Sequence, residues 1–249
     1  MGRMLAGMTT LILLLCAAGT LLAQTAQDDL IEAIKKGRGE TVEAMLVAQP
    51  ELVTADTKGG VSAILLAVYY RHPEIAEIFV SHGAQLTMAE ACAMGKVDRI
   101  AGFLKENPAS ANERSPDGFP VLGMAIFFGH PEAARLLIGA GADVNEVATN
   151  SQRVAIIHSA AAAGNVDMVR LLLEKGARVN VVQEGGFTPL HEAAAQGNQA
   201  MAELLINAGA DLSARTADGQ TAADLAQARK HPEMAEWLRS RAGQKSHGG

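Results

Sequence analysis

Short apolar clusters recur along the chain, each opened by an alanine: Ala33, Ala67, Ala91, Ala125, Ala160, Ala193 and Ala226. The steps between them are 34, 24, 34, 35, 33 and 33 residues, a period typical of stacked repeats. Within a period the spacing is helical. Thr188-Pro189 predicts a helix start, since proline is tolerated in the first turn, and Leu190, Ala193 and Ala194 form one apolar stripe at 3.6-residue spacing. Gly197 closes that helix in a position suited to a left-handed cap. A second helix is expected to bury Met201, Leu204 and Leu205 and to end at Gly209. Asp211 and Leu212 then lead into an extended polar segment reaching the turn Asp218-Gly219.

Other markers keep the same register. Gly37, Gly95, Gly129, Gly164 and Gly197 each lie four residues after their alanine, with Arg71 and Lys230 in that place in the other two units. Three second helices open with His-Pro-Glu, at 72–74, 130–132 and 231–233. There proline lacks only an N–H that a helix start cannot use, and glutamate suits the positive end of the dipole.

The stretch Gly186-Phe187-Thr188-Pro189-Leu190-His191-Glu192-Ala193-Ala194-Ala195-Gln196-Gly197-Asn198 resembles the ankyrin signature G-x-T-P-L-H-x-A-A-x-x-G-[HN]. Gly141-Ala142-Asp143-Val144-Asn145 and Gly209-Ala210-Asp211-Leu212 resemble the tail of the same repeat. The resemblance covers Asp28 to about Ser240. It implies an all-α repeat solenoid of helix-turn-helix pairs joined by β-hairpin fingers. About seven units are expected, near 28–54, 55–87, 88–112, 113–145, 146–180, 181–213 and 214–240, with 241–249 as a disordered tail. The 24-residue step implies that the finger before Met88 is missing. The 35-residue step implies a longer finger, Glu146 to Arg153, with Arg153 where other fingers carry glycine. Charged residues such as Asp28, Glu32, Lys35, Glu233, Arg239 and Arg241 make both ends polar caps, as a soluble, monomeric solenoid needs.

Composition changes the picture mainly by exclusion. The chain has 249 residues, 49% of them hydrophobic, with only 9 aromatics (6 Phe, 2 Tyr, 1 Trp) and a net charge of −6. No dense basic footprint is present, which disfavours sequence-independent nucleic-acid binding. Residues 1–27 have the pattern of a secretory signal peptide: Arg3, an apolar stretch from Leu11 to Leu22, then Ala23 and Ala26 as cleavage positions. Two readings compete: an uncleaved anchor over Met4 to Ala23, at about the 20 residues a span needs, and a lipoprotein signal at Cys16, disfavoured by the preceding Leu14 and Leu15. The expectation is therefore a secreted or periplasmic chain of bacterial type. Without the leader, Cys92 is the only cysteine, so no intramolecular disulfide can form; it is expected to be a small buried hydrophobe.

A search for chemistry finds little. Five of the seven histidines occupy repeat slots: His158 and His191 in the T-P-L-H position, and His72, His130 and His231 at second-helix starts. The resemblance implies that His158 and His191 bond backbone in the neighbouring turn. No helical His pair, Cys/His cluster, G-x-S-x-G elbow or phosphate loop occurs. Neither catalytic residues, metal ligands nor a cofactor are expected.

What the repeat does not require is left for recognition. The resemblance places finger tips and the variable residues before each repeat glycine on a concave face. The candidate partner-binding residues are Tyr69, Tyr70, Met94, Arg114, Asp117, Phe119, Phe127, Phe128 and Phe187: an apolar patch centred on units two to four, flanked by Lys58, Arg114, Asp117 and the 146–153 finger. Rigid aromatic clusters are common interaction hot spots. The alternative is that these aromatics pack between neighbouring units. The functional expectation is a non-catalytic protein-binding module of the cell envelope or exterior. A structural scaffold is the alternative, and a small-ligand carrier or enzyme using the groove is a further one.

Overall fold

The computed structural model of the chain describes residues 24–245. The expected leader lies outside the described residues except for 24–27, which open helix α1 (24–35). The chain divides into two compact units, Met1–Gln85 and Leu86–Gly249. In the first, α1 is followed by α2 (Gly39–Ala48), α3 (Ala63–Tyr69) and α4 (Pro73–Ser81). The second holds α5 (Met88–Ala93), α6 (Val97–Glu106), α7 (Val121–Phe127), α8 (Pro131–Gly139) and α9 (Ile156–Ala162). It continues through α10 (Val166–Glu174), α11 (Pro189–Ala195), α12 (Gln199–Asn207), α13 (Ala222–Ala228) and α14 (Pro232–Lys245). Helix α14 thus runs into the stretch expected to be a disordered tail; residues 246–249 lie outside the described residues.

The two helices of a pair are buried for different reasons. In the second unit α5, α7, α9, α11 and α13 pack side by side in sequence order. The inner helices α7, α9 and α11 therefore have neighbours on both flanks, and α7 buries every residue from Val121 to Ile126. A helix apolar on all sides is stable only inside, and alanine at 91, 125, 160, 193 and 226, each fully buried, lets the row close up. The partner helices bury one stripe only: Ala133, Ala134 and Leu137 in α8, and Met168, Val169 and Leu172 in α10. In α12 the stripe is Met201, Ala202 and Leu205. Leu204, expected inside, is half-buried, because one packed flank accepts only positions i, i+1 and i+4. Cys92 is fully buried in α5, and burial pushes its thiol up to about 12.

The glycine closing α11 has two roles. Gly197 has φ +64, and a methyl group there would lie 2.6 Å from the His231 ring. The histidine opening α14 therefore packs against the turn of the preceding pair. His130 does the same to Gly95 and also donates from Nε2 to Ala93 O at 2.9 Å. Arg71, Arg153 and Lys230, which stand where sister units carry glycine, keep the left-handed backbone at φ 64, 51 and 66. For a residue with a Cβ this costs roughly 1–2 kcal/mol.

The fingers differ from the expected β-hairpins. Among the described residues no strand forms. Three fingers hold one isolated antiparallel bridge each: Asp56 with Ser62, Arg114 with Pro120, and Val147 with Ala155. The reason is local. After the turn at Gly118 the chain reaches Pro120, which has no N–H to extend a ladder, and α7 begins at the next residue. In the second unit single backbone bonds link successive fingers instead: Thr149 N to Gly118 O at 3.0 Å, Glu184 N to Gln152 O at 2.9 Å and Ala217 N to Gly185 O at 2.7 Å. Between α4 and α5 residues 82–87 suffice as connection, with Thr87 already capping α5, so no finger precedes Met88.

Candidate functional site

The nine residues singled out by sequence are distributed over both units. Tyr69 and Tyr70 belong to the first, at the end of α3; Tyr69 is half-buried and Tyr70 is 45% exposed. The other seven belong to the second. Met94, the C-cap of α5, is half-buried. Phe127 ends α7 with 45% of its surface exposed, after six consecutive buried residues. Its ring meets half-buried Phe128 edge-on, with centroids 5.2 Å apart at 84°, an arrangement aromatic pairs favour. At the equivalent positions the following helices carry Ala162-Ala163 and Ala195-Gln196, so the aromatic step gives way to alanines and one glutamine.

Arg114 and Asp117 are engaged within and between fingers. Arg114 forms an ion pair with Glu146 at the start of the next finger, and its Nε is buried without a partner. Asp117 accepts from Ser115 Oγ at 2.5 Å within the Ser115–Phe119 turn. Phe119 is half-buried. Phe187, also half-buried, stands edge-on to His191 with centroids 6.0 Å apart.

The histidines take the bonding implied by the resemblance. His158 Nε2 lies 3.1 Å from Phe187 O and His191 Nε2 lies 3.2 Å from Gln220 O, each in the following finger. Burial lowers the pKa of both, that of His158 to about 4. Their neutral rings thus act as fixed spacers under the fingers. Among the described residues no group of three or more His, Cys, Asp or Glu could hold a metal ion. None of the described helices is long and apolar enough to cross a membrane.

A feature that sequence reasoning missed lies beside Phe187. A groove of about 480 Å³ is lined by Gln152, Gln183, Phe187, Glu192, Leu225 and Arg229, among others. Fingers supply Gln152 and Gln183, while α11 and the end of α13 supply Glu192, Leu225 and Arg229. Glu192 accepts from Gln183 Nε2 at 3.0 Å through Oε1, and among the described residues nothing donates to its Oε2. Burial pushes its carboxyl above the usual range, against the opposing pull of Gln183 and Arg229. Arg229 is exposed and acts on it through its charge. The available signal was that Glu192 occupies the variable slot of the T-P-L-H-x-A signature. Its proximity to Gln183 and Arg229 depends on how finger and helices fold together.

Comparison with known proteins agrees with this architecture. The family described as Ankyrin repeats (3 copies) matches residues 88–183 and 157–247. The chain is 33% identical over 114 residues to Ankyrin repeat and KH domain-containing protein 1 of Homo sapiens, covering 46% of this chain and 4% of that protein. It is 28% identical over 168 residues to Rabankyrin-5 of Mus musculus, covering 64% and 14%. It is 33% identical over 100 residues to E3 ubiquitin-protein ligase KEG of Arabidopsis thaliana, covering 40% and 6%. The chain therefore spans a small fraction of these relatives, and what is shared is the repeat. With paired helices, buried T-P-L-H histidines and a family match over more than half its length, the chain belongs to the ankyrin-repeat family.

Proposed function

We propose that this chain is a non-catalytic protein-binding module that docks a partner on the first-helix and finger side of its second unit. Ankyrin repeats generally mediate protein–protein interaction and are typically non-catalytic. The observation that carries the reading is Phe127, a large aromatic left 45% exposed at the end of an otherwise buried helix and backed by the Phe128 ring. The alanines at 162, 163 and 195 keep the neighbouring surface low, so a partner side chain could reach between the aromatic step and the fingers. The leader-like pattern of residues 1–27 supports a place in the cell envelope or exterior, and the polar ends support a monomer.

The test is a binding measurement on a partner captured from the source envelope. Phe127→Ala should weaken binding by about 2 kcal/mol, as for a hot-spot aromatic, with little loss of thermal stability. Unchanged affinity with a lower unfolding temperature would show that the ring serves packing instead.

A further inference from the structure

We infer that the groove beside Glu192 accepts a lysine or arginine side chain of the partner, with Glu192 as counter-ion and Phe187 and Leu225 as walls for the aliphatic stem. This rests on the protein-binding reading above and gives it a chemical specificity.

Three occupants can be compared. An apolar anchor would complete the desolvation of Glu192 without offering anything to its open Oε2, and a buried carboxylate left unpaired is costly. An acidic side chain would meet Glu192 inside and Glu184 on the lining. Its one attraction would be Arg229, which is exposed and well hydrated. A basic side chain meets one like charge, the exposed Arg229, against the two carboxylates Glu192 and Glu184 on the same lining. Its head reaches a carboxylate already partly withdrawn from water, where an opposite charge counts for more than at the surface. Its methylene stem needs the apolar walls that Phe187 and Leu225 provide, and an aromatic ring nearby adds attraction for the cation.

The local build prepares Glu192 for this role. Gln183 holds one carboxylate oxygen at 3.0 Å, which fixes the rotamer and leaves the second free. Gln183 is itself fixed by the finger, where its N–H donates to Phe187 O at 3.0 Å. The charge is thus positioned before a partner arrives, so little ordering entropy is lost on binding.

The test is selection of random twelve-residue peptides on the full chain, followed by affinity measurements on variants. Enrichment of Lys or Arg at one peptide position is expected. Affinity should then fall roughly tenfold or more on Glu192→Gln, as for loss of a hydrogen bond to a charged group, with thermal unfolding unchanged or raised. Should that variant fold poorly, Glu192→Asp retracts the carboxylate by one methylene and should also weaken binding. Enrichment of acidic residues with loss on Arg229→Gln would overturn the assignment. Peptides that depend on Phe127 and ignore Glu192 would overturn it too, while leaving the protein-binding reading intact. No peptide above background on any form would count against both.

Discussion

The α9 and α11 pairs are neighbours built on one plan, yet they treat the same buried histidine differently. In α11 the residue before the helix is Thr188, whose Oγ1 lies 2.8 Å from His191 Nδ1 and whose N–H donates to that nitrogen at 3.2 Å. Both ring nitrogens of His191 are therefore engaged. In α9 the same place holds Ala155, no side chain caps the helix, and His158 Nδ1 is buried without a partner. Both histidines are only 1% exposed. The α9 histidine thus lacks both the hydroxyl and the backbone N–H contact that satisfy its α11 counterpart. A repeat can lose a polar residue from its signature and keep its shape, because apolar burial along the row carries the fold while the cap adjusts its stability.

Acid should expose this difference most strongly. The His158 pKa is lowered from 6.5 to about 4 by burial. Between those values the unfolded chain binds a proton that the folded chain refuses. Stability is therefore full above pH 6.5 and falls as pH drops toward 4, by about 3 kcal/mol from this residue alone. Urea unfolding midpoints at pH 7 and pH 4.5 should show most of this fall. Glu192, whose pKa is raised by burial, works in the opposite sense, so comparison with His158→Gln isolates the histidine. That variant should flatten the pH dependence more than His191→Gln does; equal flattening would refute the distinction drawn between the two pairs.

Thr188→Ala should turn the better pair into a copy of the poorer one. It removes the hydroxyl half of a capping box and leaves His191 Nδ1 only the backbone N–H of residue 188, at a cost of roughly 1–2 kcal/mol, measurable as a shift in the denaturant midpoint. The reverse change, Ala155→Thr, should stabilise by about 1 kcal/mol, since Ala155 has φ −81 and ψ 157, close to the Thr221 cap at −80 and 168. A neutral or harmful result there would mean that the α9 cap site has no room for the hydroxyl. The smallest effect belongs to the turn that follows α13. Lys230→Gly should relieve a left-handed strained residue and stabilise by about 0.5–1 kcal/mol, visible in thermal unfolding.

Much of the fold could be read from the chain. The alanine period, the glycines four residues on and the His-Pro-Glu starts all report local helix geometry, and local geometry writes its period directly into sequence. The missing finger before Met88 could be read the same way, as a short step. The fingers were harder, since a single bridge and a hairpin share the same turn residues. Whether a ladder continues depends on Pro120 and on where α7 begins. Among candidate residues, Phe127 was found by its slot. Arg114 and Asp117 were singled out as charges flanking the patch, but their engagement with Glu146 and Ser115 depends on the neighbouring finger and on rotamers.

What the sequence by itself determined is the repeat: the helix pairs, the buried alanine row and the positions of the T-P-L-H histidines. These follow from side-chain periodicity, which requires only contacts a few residues apart or a translation by one unit. Only the tertiary structure decided the groove around Glu192, the seating of His231 on Gly197 and the bare nitrogen of His158. Each brings together atoms from different helices and fingers, and their distances depend on how closely the packed rows approach, a quantity that no single stretch of chain encodes.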